Sequence, residues 1–121
     1  MQVGIDVGAT KIESVVLEKD GQEKHRSRIP CPKNYTQIIT SIKDIHRQLE
    51  LEFKQELSIG VCHPGVHSPQ TGLVKNVPNI TWLDKKPFQN DLRKALGKEV
   101  FCENDANCFA IAFGFGSITM V

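Results

Sequence analysis

The sequence contains no long hydrophobic run: no apolar stretch approaches the ~20 residues a helix needs to cross a bilayer. The N-terminus, Met1 to Asp6, has no basic segment followed by a long apolar one, so no signal peptide is expected. Basic residues are scattered, and the longest basic cluster is Lys85-Lys86. With a net charge of +1, the chain offers no nucleic-acid surface and no polybasic membrane patch. Four cysteines stand at 31, 62, 102 and 108, none in a C-x-x-C pair. Tetrahedral zinc sites usually bring close-spaced ligand pairs, so four reduced, mostly buried thiols in a cytoplasmic chain are expected. Cys62, His63 and His67 lie close in sequence, but Pro64-Gly65 between them reads as a turn, and the three are taken as turn residues rather than metal ligands. Internal repeats and low-complexity tracts are also missing.

What remains is an ordinary globular composition of 121 residues, 40% hydrophobic and 24% charged. That length suits one compact domain, 1–121. Val3, Ile5 and Val7 alternate with Gly4 and Asp6 and predict a strand. Ile12 to Leu17 predicts a second, and Asp20-Gly21 a tight turn into a third, Glu23 to Ile29. Tyr35, Ile38, Ile39, Ile42, Ile45, Leu49 and Phe53 fall three or four apart, the stripe of an amphipathic helix. Asn34 suits its N-cap, with Gln37 at the capping-box position. Leu57 to Val61 reads as a buried strand. A long loop follows from Pro64 to Asp84, with a small hairpin at Leu73-Val74-Lys75. A second helix has Pro87 in its first turn, Phe88, Leu92, Ala95 and Leu96 on its apolar side, and Gly97 at its C-cap. Val100 to Cys102 predicts a further strand, and Asn104 to Phe113 a last helix. The order is that of an α/β domain with a mixed sheet of about five strands and flanking helices.

Three constellations carry chemistry. Asp6-Val7-Gly8-Ala9-Thr10-Lys11 joins two strands by a small turn whose backbone N–H groups and Thr10 hydroxyl suit a phosphate. Asp6 suits a water-bound Mg²⁺, which prefers carboxylates and retained waters. The plain alternative is a hairpin with one exposed acid. Glu103-Asn104-Asp105-Ala106-Asn107 follows a short strand. Asp105 suits acceptance of a proton from a sugar hydroxyl attacking phosphorus, and Asn104 suits a grip on a neighbouring hydroxyl. Helix capping explains the same residue types. Pro64-Gly65, Asn76, Pro78-Asn79 and Trp82 form a loop whose amides suit a hydroxyl-rich ligand, although such residues are common in loops anyway.

Taken together, GIDVGATK at 4–11, HPGVHSPQTGLVKNVPN at 63–79 and ENDANCFA at 103–110 resemble the ROK family of sugar kinases and repressors over nearly the whole chain. The resemblance implies an actin-like, ribonuclease-H-like α/β domain. It further implies ATP and Mg²⁺ as cofactors, with Gly4, Asp6, Gly8, Ala9, Thr10 and Lys11 in the first phosphate loop. Asp105 would be the catalytic base toward the sugar, and Gly65, Asn79 and Asn104 would contact it. The run from Ser68 to Trp82 looks closest to fructokinase-like members, with N-acetylglucosamine kinases the near alternative. The expected partner is a hexose: fructose, glucose, mannose or N-acetylglucosamine.

Three departures stand out. Ala9 replaces a loop glycine, which constrains φ if the turn needs a positive value. Cys62 replaces a glycine near the sugar, which would narrow the pocket. The family's second lobe, with the adenosine pocket and the zinc motif, has no counterpart here, so no zinc site is expected. The expected function is therefore the N-terminal half of an ATP-dependent hexose kinase, inactive alone. The alternatives are a non-catalytic sugar-binding module and a degenerate remnant that forms a homo-oligomer over the surface of the missing lobe. An apolar seam at Phe113, Phe115, Ile118 and Val121 would favour the last. The first strand is expected to begin at residue 2, and on that reading no DNA-binding segment is expected.

Overall fold

A computed structural model describes residues 1–75, 77 and 81–104. Strand β1 (Gln2–Val7) and strand β2 (Lys11–Leu17) form an antiparallel hairpin in register from Gln2↔Leu17 to Val7↔Ile12. Strand β3 (Glu23–Pro30) extends it, and the β2–β3 turn follows from its residues. Gly21 takes φ 88°, and Asp20 Oδ1 accepts the Gln22 N–H at 2.9 Å. β3 is the outer strand and is exposed over most of its length. Its charged residues, including Arg26 and Arg28, guard an unpaired edge against another chain.

Helix α1 (Tyr35–Phe53) starts where the sequence places it. Asn34 is extended, and its Oδ1 accepts the Gln37 N–H at 3.0 Å. Ile38, Ile42 and Leu49 are buried, and Tyr35, Ile39, Ile45 and Phe53 pack partly buried against the same core. His46 joins that face unforeseen: its Nε2 lies 2.8 Å from the Leu57 carbonyl, which also accepts from Lys98 Nζ at 2.9 Å.

The chain crosses through α1 to strand β4 (Ser58–His63), which lies parallel to β1, and through helix α2 (Phe88–Leu96) to strand β7 (Val100–Asn104), parallel to β4. The sheet order is β3-β2-β1-β4-β7. Between β4 and α2, β5 (Val66–His67) and β6 (Val74–Lys75) make a small hairpin, and Thr81–Leu83 forms one turn of 3₁₀ helix.

Four expectations change. Cys62 and His63 are not turn residues but the end of β4, and His67 lies on β5; the turn proper is Pro64-Gly65. Asn104 belongs to β7: pairing with His63 carries that strand two residues past Cys102. Pro87 is the N-cap of α2 rather than a first-turn residue. Four reduced thiols were expected, but Cys62 is disulfide-bonded while Cys31 and Cys102 are free. A sulfur–sulfur bond depends on spatial proximity, which spacing along the chain does not encode. The expected last helix and the apolar seam at Phe113, Phe115, Ile118 and Val121 lie outside the described residues.

Helix α1 ends on Lys54 in the left-handed conformation, φ 56° and ψ 40°, with its N–H bonded to the Glu50 carbonyl. That conformation costs an L-residue about 1 kcal/mol relative to glycine. Lys54→Gly is expected to raise the unfolding midpoint by roughly 4 °C, measured by thermal denaturation followed by circular dichroism.

Candidate functional site

Because β1, β4 and β7 run parallel, their C-terminal ends share one edge of the sheet, where α/β folds build their sites. The register places Asp6 beside Cys62 and Cys62 beside Glu103, with His63 beside Asn104. The β1–β2 turn, the Pro64-Gly65 turn and Asn104 therefore meet at that edge although they are far apart in sequence. Side chains alternate across a strand. Val3, Ile5 and Val7 enter the core, while Asp6 stands on the opposite face of the sheet.

In the β1–β2 turn, the Gly8 N–H donates to the Lys11 carbonyl at 2.9 Å and closes the hairpin. Gly8 is therefore not a free anion donor. The N–H groups of Ala9 and Thr10 and the exposed Thr10 hydroxyl remain. A Cβ at Gly8 would sit 3.2 Å from the Lys11 carbonyl, so glycine fits this close approach. Ala9 does not have a positive φ, so the replacement of glycine there introduces no backbone strain. Lys11 Nζ pairs with Glu13 Oε2 at 3.6 Å, and Glu13 also meets Arg26. Burial, and then the nearby Glu13, raise the Asp6 carboxyl above its ordinary range, against the pull of Lys11.

Gly65 is the conformational centre of the second loop. It takes φ 76°, and a Cβ there would lie 2.5 Å from the Lys75 carbonyl and 2.9 Å from Val77 Cγ2. Its own carbonyl accepts Asn104 Nδ2 at 2.8 Å, which ties the loop to the end of β7. Asn104 and Gly65 are thus brought together. Asn79 and Asp105 lie outside the described residues, as do Asn76 and Pro78. Trp82 packs partly buried against the core, and its Nε1 has no partner among the described residues.

A cavity of about 160 Å³ opens beside this loop, lined by His63, Val66, His67, Gln89, Cys102, Glu103 and Asn104. Cys62 does not line it, being on the other face of β4 from His63's neighbours Val61 and Ile59. The histidines were missed as cavity residues because Pro64-Gly65 masked a strand–turn–strand arrangement that folds them together. Their rings meet edge to face, 4.8 Å between centroids. His67 Nε2 accepts the Gln89 N–H at 3.3 Å in the first turn of α2, where Pro87 supplies no side-chain cap. Gln89 in turn donates through Nε2 to the Val100 carbonyl at 2.9 Å. Burial pushes His67 down to about 4, helped by neighbouring His63 and Arg93; burial also lowers His63. Burial likewise pushes the Cys102 thiol up to about 12. Among the described residues no group of three or more His, Cys, Asp or Glu side chains is arranged to hold a metal ion. No described helix is long and apolar enough to cross a membrane.

Comparison with known proteins gives the same picture. The model of the ROK family matches residues 2–117. N-acetyl-D-glucosamine kinase of Haemophilus influenzae is 38% identical over 113 residues, covering 93% of this chain and 37% of the relative. The crystal structure of a ROK hexokinase from Thermus thermophilus superposes with a TM-score of 0.75 at 30% identity, over 88% of this chain and 35% of that one. A ROK glucokinase from Streptomyces griseus, in complex with glucose and AMPPNP, superposes with a TM-score of 0.77 at 26% identity, over 96% and 37%. The chain thus spans little more than a third of the length of these relatives. The fold is that of the ROK actin-like kinases, as the family resemblance implied.

Two outcomes are expected. Gly65→Ala combines a disfavoured φ with overlap on the Lys75 carbonyl, and is expected to cost at least about 2 kcal/mol in denaturant unfolding. Both histidines are held below their ordinary value of 6.5, so the unfolded chain takes up protons first. Their contribution is complete above pH 6.5 and is lost as pH falls toward 4, by on the order of 1 kcal/mol after solvent screening. Unfolding curves of His67→Gln against the parent across that range are expected to show a shallower pH slope in the variant.

Proposed function

The chain belongs to the ROK family, and from that premise we propose that it carries one lobe of an ATP-dependent kinase that phosphorylates a hexose or N-acetylhexosamine hydroxyl. The observation that carries this reading is the meeting of the β1–β2 turn, the Gly65 loop and Asn104 at one sheet edge, with Asn104 bonded to Gly65. Gly65 and Asn104, with Asn79, bind the sugar. Asp105, one residue beyond Asn104, is the base that takes the proton from the attacking hydroxyl.

The turn from Asp6 to Lys11, which Gly4 precedes on β1, approaches the ATP phosphates, with the Ala9 and Thr10 amides and the Thr10 hydroxyl as donors. Mg²⁺ fits beside Asp6: this carboxylate is destabilised by burial and by Glu13, and a cation offsets both. When bound, Mg²⁺ neutralises charge on the phosphates. The complete reaction needs a second lobe to close over ATP and exclude water, so this chain alone is expected to turn over little or not at all.

N-acetylglucosamine heads the order of sugars to test, supported by the named relative, ahead of the fructose favoured by the Ser68 to Trp82 run; glucose and mannose follow. Amide NMR of the 121-residue chain, titrated with these sugars, is expected to show shifts centred on Gly65, Asn79, Asn104 and Asp105 with one of them. Any ADP release is expected to fall by about a hundredfold or more in Asp105→Ala. Turnover that survives this substitution would refute the assignment of the base.

A further inference from the structure

His63 is completely buried at the end of β4, and its ring lines the cavity beside the Gly65 loop. Its Nδ1 lies 2.9 Å from the Pro64 carbonyl. A carbonyl only accepts, so Nδ1 carries the proton and donates, which leaves Nε2 as an acceptor lone pair. That Nε2 is buried and has no hydrogen-bond partner among the described residues. Its neighbours do not supply one. Phe88, with its ring centroid 5.6 Å away, has no donor, and the Nδ1–H of His67, the donor left once its Nε2 accepts the Gln89 N–H, makes no hydrogen bond to it. The Glu103 carboxylate on the same cavity wall accepts as well. A buried acceptor left unpaired is costly, and a native fold keeps few of them.

We infer that His63 is a specificity-determining residue of the sugar site, whose Nε2 accepts a hydrogen bond from a donor on the bound sugar, a hydroxyl or an amide N–H. The inference rests on the reading of Gly65 and Asn104 as sugar contacts. It adds that the sugar is selected on the side facing β4 by the hydrogen it offers. A site built to accept one discriminates strongly against an analogue that lacks it, because the acceptor is then left unpaired.

The test uses the 121-residue chain with ¹⁵N-labelled histidine. N-acetylglucosamine, glucose and their singly deoxygenated analogues are titrated while the amides of Gly65 and Asn104 and the His63 Nε2 resonance are followed. The expected result is an upfield move of Nε2 that saturates with the amide shifts and disappears with one analogue. His63→Phe, which keeps a flat ring and removes the acceptor, is expected to weaken the parent sugar about tenfold and the insensitive analogue hardly at all. If the amides respond while Nε2 stays still, the role of His63 is overturned and the sugar site stands. If no sugar moves either set, both readings fall. Should His63→Phe fail to fold, the Nε2 resonance of the unaltered chain decides alone.

Discussion

Parallel pairing of β4 against both β1 and β7 is the constraint on which the rest of this molecule depends. A parallel pair needs a crossover, so α1 and α2 carry the chain back to the side where β1 begins, and all three strands leave at the same edge. Three chain segments that share no local sequence relation are thereby delivered to one line. The line holds the β1–β2 turn, the Pro64-Gly65 turn and Asn104. The helices that make the crossovers also build the core, and Phe88 and Leu92 of α2 are fully buried beneath the sheet.

Within that frame, backbone geometry limits the choice of residue at two places. Gly65 sits so close to the Lys75 carbonyl that no side chain fits, and its positive φ independently favours glycine. The tight approach lets the loop lie down on the end of β7, where Asn104 holds its carbonyl. Ala9 shows the opposite case. The β1–β2 turn does not require a positive φ at that position, so a methyl group is tolerated there.

The two histidines show how one arrangement serves both folding and chemistry. His67 satisfies an N–H at the start of α2 that the N-cap proline cannot reach with a side chain. Its neutral form is required for that, since a protonated ring would present a hydrogen to another hydrogen. His63 lies against it, completely buried. The hairpin β5–β6 is therefore anchored to α2 and, through Gln89, to β7, so the cavity beside the Gly65 loop has walls from four separate elements.

The sequence by itself determined the local pieces. Alternation marked β1, the three-and-four spacing marked α1, Asn34 and Gly97 marked helix ends, and Asp20-Gly21 marked a turn, because each of these preferences acts within a few residues of the chain. It also showed the Gly65 and Asn104 motifs, and the family resemblance they carried. Only the tertiary structure decided that Asn104 ends a strand and that Gly8 spends its N–H inside the hairpin. The same holds for the places of His63 and His67 on strands, facing each other over one cavity. Such outcomes depend on which strands pair and which face is buried, and those are settled by contacts between residues tens of positions apart, which no local pattern encodes.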